Sequence, residues 1–151
     1  MSGDNLVRLK AAYARWADPW ATQPEAWLEL CDERVNFGSL GWATKGQVLS
    51  GHLALAQYLV RLALDWEMIS FDMDTFVDGG DRIVVLGRVV CRNRETGLVL
   101  DTPKVDTFEF RGGKVVGFFE HLDTAAEQAA RALNVPVEIA TARASLRRAL
   151  G

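Results

Sequence analysis

The sequence predicts an α+β fold in which a strongly curved, mostly antiparallel sheet is covered by N-terminal helices and followed by a C-terminal helix. Three observations carry that expectation. Large apolar residues recur at helical spacing as far as Asp65. From Ile69 to Leu122 the period changes to two, interrupted by turn signals at Asp78-Gly79-Gly80-Asp81, at Asn93 to Gly97 and at Arg111-Gly112-Gly113-Lys114. After Asp123 the helical period returns. Helices first and strands afterwards signal an α+β arrangement with the helices on one face of the sheet, and such a sheet, closed at one end by helices, forms a cone with a pocket.

In chain order, Leu6, Leu9, Tyr13 and Trp16 form a helical stripe with Trp20 one turn further on; Ser2 or Asp4 can cap it and Pro19 ends it. Thr22-Gln23-Pro24-Glu25 reads as a capping box with an early proline, opening a short helix that carries Trp27, Leu28 and Leu30. A short strand from Arg34 to Leu40 leads into a glycine-punctuated loop bearing Trp42, a large apolar side chain that needs somewhere to pack. Ser50 is placed to cap a third helix running to about Asp65. Its Leu53, Leu55, Tyr58, Leu59, Val60, Leu62 and Leu64 cover most of the circumference, so it should be buried on most sides.

Ile69, Phe71, Met73, Thr75 and Val77 then alternate with Ser70, Asp72, Asp74 and Phe76, a strand with one wet face. A hairpin turn leads into the Val- and Ile-rich run Arg82 to Arg92. At the far end Thr124-x-x-Glu127 reads as a second capping box, with Ala126, Ala129, Ala130 and Leu133 behind it. Asn134-Val135-Pro136 breaks that helix. Residues 1–133 are therefore expected to form a single domain and 134–151 an amphipathic C-terminal extension, in which Ile139, Leu146 and Leu150 lie beside Arg143, Arg147 and Arg148.

The stretch Leu98 to Asp123, LVLDTPKVDTFEFRGGKVVGFFEHLD, holds the chemistry. A two-residue loop at its glycines would pair Arg111 with Lys114 and place Asp106 on the face of Gly117, Phe119 and His121. A three-residue loop would pair Phe110 with Lys114 and gather Asp106, Phe108, Phe110, Val116, Phe118, Glu120 and Leu122 on one face, with Val105, Val115, Phe119 and His121 on the other. The second register keeps the apolar set together and is the one expected. It makes Asp106 and Glu120 diagonal neighbours, roughly 7–8 Å apart, on an aromatic face.

Composition narrows the function. Of 151 residues 49% are apolar and 25% charged, and the net charge is −3 with acid and base interspersed, so no basic stripe offers a nucleic-acid surface. No apolar run approaches the roughly 20 residues of a membrane span, and MSGDNLVRLK lacks the pattern of a signal peptide. A cytoplasmic location is expected. Cys31 and Cys91 stand far apart with no ligand-spaced partners, which reads as buried free thiols and no metal site. Gly41 to Gly46 has the glycine spacing of a phosphate loop, but Gln47-Val48 replaces its Lys-Ser/Thr.

On these residues the chain, to about residue 133, resembles the NTF2-like superfamily, and within it the SnoaL-like and ketosteroid-isomerase-like members. TPKVDTFEFRGGKVVGFFEHLDTA is the segment most similar to those families. The resemblance implies the cone fold, a cofactor-independent mechanism, a small hydrophobic molecule in the pocket and a homodimer formed through the outer sheet face, here Val105, Val115 and Phe119. It places Tyr13 on the isomerase's oxyanion-hole tyrosine, Asp106 on its oxyanion-binding acid, and Glu120 on the last-strand carboxylate that cyclases use as acid or base. It also marks departures. The isomerase's base aligns near Gly38, where the chain offers only Asn36 and Ser39. Two members of the epoxide hydrolases' triad align near Gly87 and Val89.

Tyr13, Asp106 and Glu120 are thus the expected catalytic residues, with Trp16, Trp20, Trp42, Phe108, Phe118 and Leu122 lining the pocket. Two adjacent carboxyls in an apolar pocket resist ionising together, which suits acid–base work on a carbonyl. A protonated aspartic acid beside a tyrosine stabilising an enolate is the established ketosteroid isomerase case. The competing expectation is a non-catalytic binding or dimerisation module of the same shape, in which Tyr13 is plain core and the carboxylates are solvated strand ends. His121 is expected on the outer face.

Overall fold

The structure, a computed structural model, describes residues 2–41 and 44–132. Helix α1 (Ser2–Ala17) ends just before Pro19, as the sequence predicts, and α2 (Glu25–Leu30) follows. Strands β1 (Cys31–Ser39) and β2 (Val48–Ser50) precede α3 (His52–Asp65), and β3 (Trp66–Asp78), β4 (Arg82–Asn93), β5 (Val99–Arg111) and β6 (Lys114–Leu122) lead to α4 (Thr124–Arg131). Three caps differ from expectation. Pro24 occupies the α2 N-cap with no side-chain hydrogen bond, while Thr22 bonds back to the Pro19 carbonyl. Gly51, not Ser50, is the N-cap of α3, and Asp123, not Thr124, caps α4 by accepting from the Ala126 N–H at 3.0 Å.

One open six-stranded sheet runs in the order β2-β1-β6-β5-β4-β3. Only β1 and β6 pair in parallel; the other neighbours are antiparallel. Sheet and helices bury their apolar sides against one another: Leu9, Tyr13 and Trp16 of α1, Trp27 and Leu30 of α2, and Leu55, Tyr58, Leu59 and Leu62 of α3 meet Val35, Phe37, Val85, Val89, Phe108 and Val115 from the strands. This is the predicted curved-sheet α+β cone. Helix α3 is buried on one side only, since Leu53, Val60 and Leu64 are exposed.

Irregular register corrects two strand readings. In β3 the pairing with β4 slips between Met68 and Ser70 and again between Met73 and Thr75. Each extra residue flips the following side chains, so Met73 is buried, Phe71 and Phe76 pack against the core, and Ile69 and Val77, expected beside them, are exposed. Gly87 faces this irregular stretch so closely that a Cβ there would lie 2.1 Å from the Asp72 carbonyl oxygen.

The second correction concerns the β5–β6 hairpin. Its loop has two residues, Arg111 pairing with Lys114, with Gly112 and Gly113 both at positive φ (58° and 77°), the backbone that only glycine adopts freely. Phe110 pairs with Val115 but Glu109 with Gly117, so Val116 is an extra residue in β6. That bulge restores the apolar face: Phe108 pairs with Phe118, and Asp106 stands directly opposite Glu120 rather than diagonal to it. The displaced member is Val115, which is buried, not on the outer face. No helix of the described residues is long and apolar enough to cross a membrane.

Candidate functional site

Strand alternation sends every second residue of β5 inward, so Lys104, Asp106, Phe108 and Phe110 share a face. On the neighbouring β6 the bulge brings Phe118 and Glu120 to the same side. Tyr13, in the middle of α1, hydrogen-bonds through its hydroxyl to Asp106 Oδ2. Tyr58, on the buried side of α3, bonds in the same way to Glu120 Oε1. Lys104 Nζ lies between the acids, 2.9 Å from Asp106 Oδ1, 3.0 Å from Oδ2 and 2.9 Å from Glu120 Oε2. Toward Asp106 its donor alignment is met at Oδ2 and not at Oδ1. Asp106 is 1% exposed, Glu120 3% and Lys104 8%, so all three are withdrawn from water.

The five groups sit on the wall of a cavity of about 50 Å³, enough for a few water-sized atoms before any side chain moves. Its remaining wall is apolar and half aromatic, with Trp16, Trp20, Trp27, Trp66, Phe71 and Phe108 among the lining residues. Phe118 lines it too, its ring stacked on Phe108 at 5.1 Å between centroids, and Trp27 stacks on both rings. Trp20 closes against Trp16 edge-on and donates its indole N–H to the Trp66 carbonyl at 3.3 Å.

Burial sets the electrostatics. It raises the Asp106 carboxyl above the ordinary aspartate range; the Lys104 charge opposes that rise and the neighbouring Glu120 adds to it. For Lys104, burial pulls downward, but Asp106 and Glu120 together outweigh it and hold the ammonium above its usual value. Tyr13 and Tyr58 are pushed well above a normal phenol, first by burial and then by the carboxylate each one touches. Both hydroxyls therefore remain protonated donors. The thiols of Cys31 and Cys91, which also line the cavity, are pushed up to about 12, chiefly by burial.

Of the residues expected from sequence, the structure brings together Tyr13, Asp106, Glu120, Trp16, Trp20, Phe108 and Phe118. Leu122 is not on the cavity wall: it is half-buried beside Gly41 and Glu127 at the far end of β6. Trp42 lies outside the described residues, as does the extension 134–151. His121 is exposed on the outer face next to Phe119, as expected, and His52 is half-buried, its Nε2 2.8 Å from the Cys31 carbonyl.

Sequence reasoning missed Tyr58 and Lys104. The signal for Lys104 was present, because it stands two residues before Asp106 and strand alternation alone puts the two on one face. Tyr58 was indistinguishable from the leucines around it in α3.

Geometry also explains the departures. Gly38 points away from the cavity, since a Cβ there would meet the Gln47 carbonyl oxygen at 2.5 Å and the ring of Phe119 on the outer face. Gly87 has no room for a side chain. Val89, the other aligned position on β4, lines the cavity with an apolar side chain, and the carboxyls of this chain are gathered instead on β5 and β6.

Solved structures share this architecture. An NTF2-like protein from Burkholderia xenovorans LB400 superposes with a TM-score of 0.75 at 23% identity, covering 86% of this chain and 97% of its own. A protein described as a SnoaL-like polyketide cyclase from Jannaschia sp. CCS1 gives 0.69 at 16%, covering 86% and 92%. One described as an isomerase from Bacillus subtilis gives 0.70 at 19%, covering 83% and 94%. At these identities the likeness speaks for the fold. Comparison with curated protein sequences finds no match. The family model for the SnoaL-like domain matches residues 9–118, a span that runs from the start of the Tyr13 turn to Phe118 beside the carboxyl pair, and the chain belongs to that family.

Proposed function

We propose that this chain is a cofactor-independent enzyme that performs acid–base chemistry, as an isomerase, cyclase or lyase, on a small hydrophobic carbonyl compound. The observation that carries the reading is the buried Asp106–Glu120 pair, each acid met by a tyrosine and by Lys104, on one wall of a cavity whose remaining lining is apolar. A carbonyl oxygen entering at this wall would take over the hydrogen bond that the Tyr13 hydroxyl gives to Asp106 Oδ2 and receive a second from the carboxylic acid of Asp106. Glu120 then removes the proton α to the carbonyl and returns it elsewhere on the same ligand, the electron pair resting on the oxygen between the two steps. No charge leaves the cavity.

Binding of small ketones and phenols, read by tryptophan fluorescence, identifies a ligand. Exchange of its α-hydrogens for deuterium, followed by NMR, then tests the chemistry. Wild-type protein should accelerate exchange, and Asp106→Asn and Glu120→Gln should each reduce the rate by roughly 10²–10⁴-fold. Unchanged exchange in both variants overturns the assignment.

One observation favours a second reading. The cluster is already closed on itself, with each carboxylate bonded to a tyrosine and to Lys104. A non-catalytic small-molecule-binding module would need nothing more, and it would bind the same ligands without exchanging their hydrogens.

The outer face of β5 and β6, with Val105, Phe119 and His121, is the proposed homodimer surface. Light scattering should give twice the 16.7 kDa chain mass, and a 16.7 kDa particle would remove this proposal. The cytoplasm is the proposed location, in keeping with two buried, unbridged cysteines.

A further inference from the structure

We propose that Lys104 is the positioning residue that fixes how many protons the Asp106–Glu120 pair carries, holding one carboxylate ionised and leaving the other a carboxylic acid. One ammonium nitrogen lies 2.9 Å from an oxygen of each acid, and all three side chains are buried. With both acids ionised the cluster would bury one net negative charge; with one protonated it is neutral. An uncompensated buried charge costs several kcal/mol, whereas one lysine balances one carboxylate. A single cation and two acids thus settle on a single proton.

The other groups around Lys104 leave that count unchanged. Tyr13 of α1 and Tyr58 of α3 face the pair as neutral donors. Cys91 of β4 is a neutral thiol, held so by burial. On α4, Glu127 and Arg131 are paired with each other, and Arg131 also with Asp65. Cys31 of β1, the other titratable side chain on the cavity wall among the described residues, is likewise neutral.

The inference does not depend on turnover, because a proton count can be read without a ligand. Protein carrying ¹³C-labelled aspartate and glutamate side-chain carboxyls is titrated by NMR, the two signals being assigned by their loss in Asp106→Asn and Glu120→Gln. At neutral pH the wild-type pair should show one ionised and one protonated carboxyl. Lys104→Met should show two protonated carboxyls, the lower of the two midpoints moving up by about two pH units or more and past neutrality, and Lys104→Arg should restore the wild-type count.

A merely structural lysine would lower stability in Lys104→Met without moving that midpoint, and this result overturns the proposal. Two ionised carboxyls in the wild-type spectrum at pH 7 overturn it as well. That second test needs no variant, so it stands even where Lys104→Met does not fold.

Discussion

Asp106 and Glu120 face each other directly across the β5–β6 pair, and Lys104 Nζ lies 2.9 Å from an oxygen of each. Two acids and one base held so close behave as one titrating unit, and the tyrosines bonded to Asp106 Oδ2 and Glu120 Oε1 belong to it.

The first prediction follows from those tyrosines. Tyr13→Phe removes the hydroxyl bonded to Asp106, a bond that lowers the Asp106 pKa, so the carboxyl should hold its proton to higher pH than in wild type. Tyr58→Phe removes the hydroxyl bonded to Glu120 Oε1. Each substitution leaves a buried acceptor short of a donor and should cost about 1–3 kcal/mol in urea denaturation. Because the two hydroxyls serve one network, the double variant should depart from the sum of the singles.

Stability should fall with pH in two windows. Asp106 is raised in the folded state, so its stabilising contribution is full below the unfolded aspartate value of about 3.9 and is lost as pH rises through the folded one. Asp106→Asn should flatten that slope in a series of thermal melts. Tyr13, Tyr58 and Lys104 are also raised, so their contributions persist to about pH 10 and disappear above it. Steep alkaline unfolding, made shallower by the double tyrosine-to-phenylalanine variant, is the expected outcome.

Gly87→Val places atoms where the Asp72 carbonyl oxygen stands 2.1 Å from the Cβ position. Overpacking of this kind typically costs about 1–3 kcal/mol, and contact with backbone rather than a yielding side chain puts this substitution at the upper end. The midpoint of urea unfolding measures it, and a neutral substitution would show that β3 can move away from β4.

Cys31 and Cys91 border the cavity but are held as thiols, pushed up to about 12 by burial. Thiolate is the reactive form, so neither should react with a disulfide reagent at pH 8 until denaturant is added. Rapid labelling of the native protein would contradict the burial shown here.

Much of the fold was legible because hydrophobic period changes once, near Asp65, and changes back near Asp123. What stayed hidden was register. Period-two reading assumes uninterrupted alternation, and β3 breaks it twice while β6 breaks it at Val116. The carboxyl pair survived the error because either route brings Asp106 and Glu120 to one face. Tyr58 was hidden for a different reason: a helix exposing Leu53, Val60 and Leu64 gives no sign in its sequence of which side the strands cover. The caps misled because Thr22 and Thr124 each have a competing neighbour, Pro24 and Asp123, better placed to begin a helix.

The extra residue at Val116 has a consequence for comparing this chain with others. The distance along β6 from the Gly112-Gly113 turn to Glu120 is one residue longer than an uninterrupted strand would need. Deleting Val116 would straighten β6 and still leave Phe118 opposite Phe108 and Glu120 opposite Asp106. A relative one residue shorter between turn and acid therefore reaches the same wall by an unbroken strand, and an alignment that slides the gap elsewhere would match its acid with the wrong residue here.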